Sequence, residues 1–271
     1  MSFYDNHYYH INKITLSIVG QWPFQSRLKS NMMFTITVLF VFTLAALQLW
    51  GLVAGIMDLN IVMENVPAFL YISFCAKRIK SFYKYKPNDF FEVQMKELLE
   101  HVEKTWKIMH LRPESKILRL YAEESRTSTV RYLIALYSVW ILYCVTPIAI
   151  NRIYLLLPTN KTYSARFLYR IEHVLDIEKY YNLLMLHGFI GIFYTVSVPI
   201  AVDCLFVLCT QHVCALFKCI KYNIELIRGS DFVLLNPNIA DDEAYHDLIN
   251  CIKLYKYALK LVLLLDTFCI V

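Results

Sequence analysis

The chain has 271 residues, 58 % hydrophobic and 18 % charged, where soluble domains hold about 45–50 % and about 25 %. The apolar excess is gathered into long blocks, which excludes an ordinary soluble globular class. The formal net charge is +5, but Lys and Arg do not form one patch, so nucleic acid is not implied as a partner.

In chain order, the first thirty residues are polar and aromatic, without the apolar run of a cleavable signal. The first apolar block is therefore expected to act as its own insertion signal and to stay in place. A helix needs about 20 apolar residues to cross the hydrocarbon layer. Met33 to Ala54 supplies 22 without a charge. A second segment, 59–76, carries only Glu64. A third, 132–150, has no charge. A fourth, 183–210, holds Asp203 as its one formal charge, and a fifth begins at Tyr257 and runs to Val271. The fold class is thus an all-α polytopic helix bundle, with four complete transmembrane helices and the start of a fifth.

Lys and Arg collect on the cytoplasmic side of membrane spans. Lys13, Arg27 and Lys29 precede the first span, and Lys77, Arg78, Lys80, Lys84 and Lys86 follow the second. Lys218, Lys221 and Arg228 follow the fourth. The N-terminus and the 77–131 and 211–256 loops are therefore expected to be cytoplasmic. The 151–182 connector then falls outside, although Arg152, Arg166 and Arg170 count against that. This connector holds the glycosylation candidate Asn160, in the sequon Asn160-Lys161-Thr162.

The 77–131 loop is patterned. Phe91, Met95, Leu98, Val102, Trp106 and Met109 recur every three or four positions, which predicts an amphipathic helix. Glu92–Lys96, Glu100–Lys104 and Glu103–Lys107 are spaced as (i, i+4) pairs on its wet side, and Pro113 follows its end. The helix either extends the bundle into the cytoplasm or lies on the lipid surface. A further helix from Ile117 to Arg126 is expected to run directly into the third span.

Several residues carry a functional and a structural reading. Asp203 is an ion or gating site, or a hydrogen-bonded structural residue near the membrane surface. Pro199 kinks the fourth span as a hinge or as a static bend. His187 and His212 lie near its two ends, His187 as a pocket-lining group or a polar cap, His212 as a cap. Cys204, Cys209, Cys214 and Cys219 recur every five residues, which spreads them around a helix instead of converging on a metal. No metal, cofactor or catalytic group is predicted, and no enzyme: there is no Gly-rich phosphate loop, nucleophile elbow or acid pair. Trp22, Trp50, Tyr180 and Tyr181 are expected in interfacial belts. Phe69, Tyr71, Trp140, Tyr143, Phe189, Phe193 and Tyr194 lie within spans, as packing or as the wall of an apolar ligand site.

Tyr8-Tyr9-His10-Ile11-Asn12-Lys13 and Val19-Gly20-Gln21-Trp22-Pro23-Phe24-Gln25 resemble the start of insect odorant receptors, especially hymenopteran ones. Tyr121-Ala122-Glu123-Glu124-Ser125-Arg126 and Tyr180-Tyr181 with Leu186-His187 are similar to the same family. So are Asp203-Cys204-Leu205-Phe206 and Gln211-His212-Val213-Cys214-Ala215-Leu216-Phe217. The matches span nearly the whole chain in order. Gln21 stands where the family often has Leu, and Tyr255 where it often has His.

The resemblance implies an odorant-gated cation channel subunit, not an enzyme. It implies a heterotetramer with a shared co-receptor subunit, in the plasma membrane of a sensory neuron dendrite. The family has seven spans, an inside N-terminus and its pore on the seventh. Residues 1–271 are then one incomplete transmembrane receptor domain, and a chain of this length is expected not to conduct. Mapped by the family's topology, a small apolar odorant would meet Pro67, Phe69 and Tyr71 on span two. On span three it would meet Trp140, Tyr143 and Cys144, and on span four His187, Ile190 and Tyr194. The alternatives are a gustatory receptor of the same superfamily, a non-functional partial receptor, and a transporter or membrane enzyme. The last would need repeated halves or clustered His and acids, which the sequence lacks.

Overall fold

The computed structural model describes residues 3–84, 90–156, 177–229 and 243–270. Asn160, and the side chains of Phe91, Glu92, Cys269 and the basic run from Arg78 to Lys86, lie outside the described residues. After a short 3-10 turn, Phe3–Asp5, the elements are α1 (His10–Ile18), α2 (Arg27–Ala54), α3 (Leu59–Lys84) and α4 (Phe90–Met109). They continue with α5 (Ser115–Leu156), α6 (Ile177–Gly229) and α7 (Glu243–Ile270). Among the described residues there is no strand, as the all-α expectation requires.

Three helices are long and apolar enough to cross a membrane among the described residues: α2, Ser115–Tyr154 of α5 and Lys179–Ile227 of α6. The expected second span, 59–76, falls in α3, and the described part of the fifth falls in α7. As expected, the helix beginning near Ile117 continues without a break into the third apolar stretch. At 53 residues, α6 is about 80 Å long, against a hydrocarbon layer of about 30 Å. The helix therefore extends well beyond the 28 residues of its expected span.

The helices group into two compact units. The second is built from the described residues of 13–87 and 130–202. Its entry is a helix stop. Gln21 N–H donates to the Leu16 carbonyl (2.8 Å) and Gly20 N–H to that of Ser17 (3.2 Å), the paired bonds of a Schellman ending. Gly20 has φ +74, a conformation that penalises a Cβ. A Cβ there would also sit 2.5 Å from Phe34 N and 2.6 Å from Ser30 O. The Ser30 hydroxyl donates to the Gly20 carbonyl at 2.7 Å. Trp22 is buried at 4 % exposure, against Phe24. It is a packing residue here, unlike the belt residue expected from the sequence, whereas Trp50 is 64 % exposed.

From there α2 and α3 pack side by side as a helical hairpin. The turn closes through Asp58 N–H to Gly55 O (3.0 Å). The Asp58 carboxylate then accepts from Asn60 N–H at 2.9 Å, the action of a helix N-cap.

The first unit comprises the described residues of 1–12, 88–129 and 203–271. Met95, Leu98, Val102, Trp106 and Met109 of α4 are buried, so the apolar face read in the sequence is the packed face. It is covered by protein. Helix α7 packs against α4, and the first residues of the chain dock on it. The Tyr4 hydroxyl donates to the Leu99 carbonyl, and the Trp106 indole N–H donates to the Tyr9 hydroxyl. Tyr4 and Tyr9 are buried. On the wet side, Lys107 pairs with Glu103 at 2.8 Å as expected, while Lys96 lies 3.8 Å from Glu100.

The α4–α7 seam is polar. His101 Nδ1 lies 2.8 Å from the Tyr257 hydroxyl, and the Lys260 ammonium donates to Glu97 at 3.0 Å. Burial, with the nearby Lys260 charge, holds the His101 imidazolium below its ordinary range. The hydrogen bond from Lys260 holds the Glu97 carboxyl low. A depressed folded-state value means that the unfolded chain binds the proton more readily. The His101 contribution is therefore complete above about pH 6.5 and is lost as the pH falls from there toward the folded value. Denaturant unfolding followed by Trp106 fluorescence should show the first unit weakening on mild acidification, and His101→Gln should flatten that dependence.

Candidate functional site

Within the second unit, α6 is the central helix: more than half of its apolar window is buried, against almost none of that of α5. Its residues 177–202 present three faces to three helices. His187, Gly191 and Tyr194, spaced at 4 and 3, face α2. The Phe40 ring of α2 lies 5.7 Å from the His187 ring and stacks on Tyr194 at 5.6 Å. Between those contacts Gly191 admits Leu44, since a Cβ on Gly191 would stand 2.5 Å from Leu44 Cδ1. Phe189, Phe193 and Ser197, spaced by one turn, face α5. Trp140 lies 4.4 Å from Phe189 and 5.3 Å from Phe193, ring to ring. Tyr137 stacks on Phe193 at 5.7 Å, and its hydroxyl lies 3.0 Å from the Ser197 hydroxyl. Phe193 and Tyr194 are in edge contact, so the aromatic array runs without interruption from Trp140 to His187.

The third face, at Pro199, meets α3. Proline lacks an N–H, so it leaves the carbonyl four residues earlier without its helical partner. That carbonyl belongs to Thr195, and the buried Cys75 thiol of α3 donates to it at 3.4 Å. The vacated acceptor is answered by another helix, which ties this part of α6 to α3. The hydroxyls follow the same rule, bonding back one turn within their own helix. Thr195 donates to the Gly191 carbonyl (2.8 Å) and Ser197 to that of Phe193 (2.7 Å).

His187 is different. The Thr43 hydroxyl has one proton, directed at the Leu39 and Phe40 carbonyls (2.9 and 3.1 Å). Its oxygen lies 2.9 Å from His187 Nε2, and with that proton kept on a carbonyl the contact takes Nε2–H as the donor. In a neutral imidazole the other nitrogen is then a bare acceptor. His187 Nδ1 is buried and has no hydrogen-bond partner among the described residues. A buried, unanswered acceptor costs about 1–3 kcal/mol. The arrangement sets one hydrogen-bond acceptor beside stacked aromatic rings.

Of the residues expected to meet a ligand, His187, Tyr194 and Trp140 join this array. Cys144 on α5 is buried at 1 % exposure. Ile190 and Phe69 are half-buried, and Pro67, Tyr71 and Tyr143 are exposed. Asp203 is half-buried on α6 and is engaged in an interaction within the protein. His212 is buried at 6 % exposure. Of the cysteines on α6, Cys204, Cys209 and Cys219 are buried and Cys214 is exposed, all as free thiols. Phe40, Thr43, Tyr137 and Gly191 take part in the array without having been singled out in the sequence. The available signals were weak: a hydroxyl residue inside a charge-free span, and a glycine inside a helix.

If Gly191 is what lets α2 approach, Gly191→Ala should destabilise the protein by roughly 1–3 kcal/mol through overpacking. In a double-mutant cycle with Leu44→Ala, the double variant should be less destabilised than the sum of the two single changes. Independent, additive effects would refute the close approach.

No curated protein matches the chain. The family model for the 7tm odorant receptor matches residues 90–269, more than half of the chain. That stretch includes α4, α5, α6 and nearly all of α7, and with them the α5–α6 half of the aromatic array. The chain belongs to the 7tm odorant receptor family.

Proposed function

We propose that this chain is a subunit of an odorant-gated cation channel, working in a heterotetramer with a shared co-receptor in the plasma membrane of sensory dendrites. Residues 1–271 belong to one transmembrane receptor domain with a cytoplasmic N-terminus. The positions of Lys and Arg around the apolar stretches support that orientation. Spans one to four correspond to α2, the start of α3, and the apolar parts of α5 and α6, with α7 entering the fifth. Asn160 is then outside and available for glycosylation.

The observation that carries the ligand reading is the aromatic array of α2, α5 and α6 with the unanswered His187 Nδ1. Small apolar molecules would occupy the region of His187, Ile190 and Tyr194 with Trp140, Tyr143 and Cys144, and with Pro67, Phe69 and Tyr71 of α3. The ligand favours whichever bundle conformation it binds better, and so shifts the population toward opening. Pro199, tied through the Thr195 carbonyl to Cys75, and Asp203 and His212 further along α6, are the gating candidates on the same helix.

The bare acceptor sets a preference. A ligand hydroxyl answers Nδ1, whereas a methyl ether of the same skeleton does not. Binding of matched alkanols and their methyl ethers to the chain in nanodiscs, read by Trp140 quenching, should favour the alcohol by about tenfold, equivalent to ~1.4 kcal/mol. His187→Phe should abolish the difference while leaving ether binding nearly intact. Absence of saturable binding by either series would overturn the ligand reading.

A further inference from the structure

The first unit contains a cavity of about 610 Å³, open on one side and lined by Phe3, Asn6, Tyr8, Trp106, Lys107, His110, Leu111 and Arg119. Its lining is predominantly apolar, and its volume lies in the range of small-molecule sites, about 300–1,000 Å³. The aromatic wall is fixed in place. Tyr8 stacks on Trp106 at 5.9 Å, Phe3 lies 6.3 Å from the same ring, and the Trp106 N–H is committed to Tyr9.

The charged residues of the lining are all basic. Lys107 is shared with Glu103 at 2.8 Å. Arg119 and His110 are exposed and have no ion-pair partner among the described residues. The cavity thus joins a rigid apolar wall to an uncommitted guanidinium, whose planar fork matches a carboxylate or phosphate in a bidentate pair. Its residues come from the start of the chain, from α4 and from the head of α5. None lies in a charge-free stretch, so its occupant arrives from water.

We propose that this cavity is a second ligand site, distinct from the aromatic array of the second unit, and that it takes a small organic anion with a flat apolar body. The acid group pairs with Arg119 at the mouth, and the body lies along Trp106 and Phe3. Because the wall is made by residues 3–8 docked on α4, the occupant bridges the start of the chain to α4 and α5. It therefore binds only while that docking is intact.

Naphthoate and its neutral amide, naphthamide, serve as matched probes. The full chain is held in nanodiscs of zwitterionic lipid, and binding is read by saturation-transfer NMR against empty nanodiscs. Naphthoate should bind saturably and at least about tenfold more tightly than naphthamide, as a charge-assisted hydrogen bond requires. Arg119→Gln should remove that preference, Arg119→Lys should restore part of it, and Lys96→Gln, an exposed change elsewhere on α4, should leave it intact. Circular dichroism melts establish that each variant remains folded. Equal binding of acid and amide, an unaltered preference in folded Arg119→Gln, or uptake no greater than by empty nanodiscs would overturn the proposal.

Discussion

A polar group inside an apolar bundle must be answered by another protein group, because hydrocarbon offers it nothing. Most of what is ordered around α6 follows from this constraint. Thr195 and Ser197 satisfy their own hydroxyls one turn back. The carbonyl left open by Pro199 takes the Cys75 thiol, so a hydrogen bond missing within one helix becomes a tie to a second. The same constraint gives His187 its meaning. Its Nε2 is answered by Thr43, and its Nδ1 has no partner among the described residues.

The first unit is held by a different balance. Its ion pairs, such as the exposed Lys107 with Glu103, contribute little by themselves, and burial of aromatic rings dominates. Tyr4, Tyr9 and Trp106 lock the start of the chain onto α4 through two hydrogen bonds and several ring contacts. The amphipathic helix of the loop is therefore part of a packed unit. The residues that complete its apolar face come from the start of the chain and from α7.

Composition and periodicity were enough to read the helical class, the apolar stretches and the buried face of α4. Those properties depend on each segment's own residues, averaged over many positions. The continuity of α5 through its polar start was legible for the same reason: nothing between Ser115 and Tyr132 breaks a helix. Pairing was not legible. That His187 meets Thr43, or that Tyr4 meets Leu99, depends on register between helices, and a period of 3.6 shows which face is apolar without showing what covers it. Trp22 illustrates the limit. A tryptophan just before a span fits an interfacial belt, yet the turn at Gly20 folds it inward.

Within the site, Trp140, Phe189, Phe193 and Tyr194 were visible as candidates, whereas Tyr137 of α5 was not, and Phe40 and Thr43 of α2 were hidden in a uniformly apolar stretch. Gly191 could be recognised only from the distance to Leu44. The family match reports the α5–α6 half of the array as part of an odorant receptor, and the geometry adds the contribution of α2.

The central claim is that His187 keeps its proton on Nε2 and leaves Nδ1 bare for a ligand. Nitrogen NMR of the chain labelled at histidine, with His187→Phe used to assign the signal, tests it directly. The account predicts a neutral Nε2–H tautomer whose Nδ1 resonance shifts when an alkanol is added and not when its methyl ether is added. A proton on Nδ1, or a resonance that responds equally to both, would contradict it.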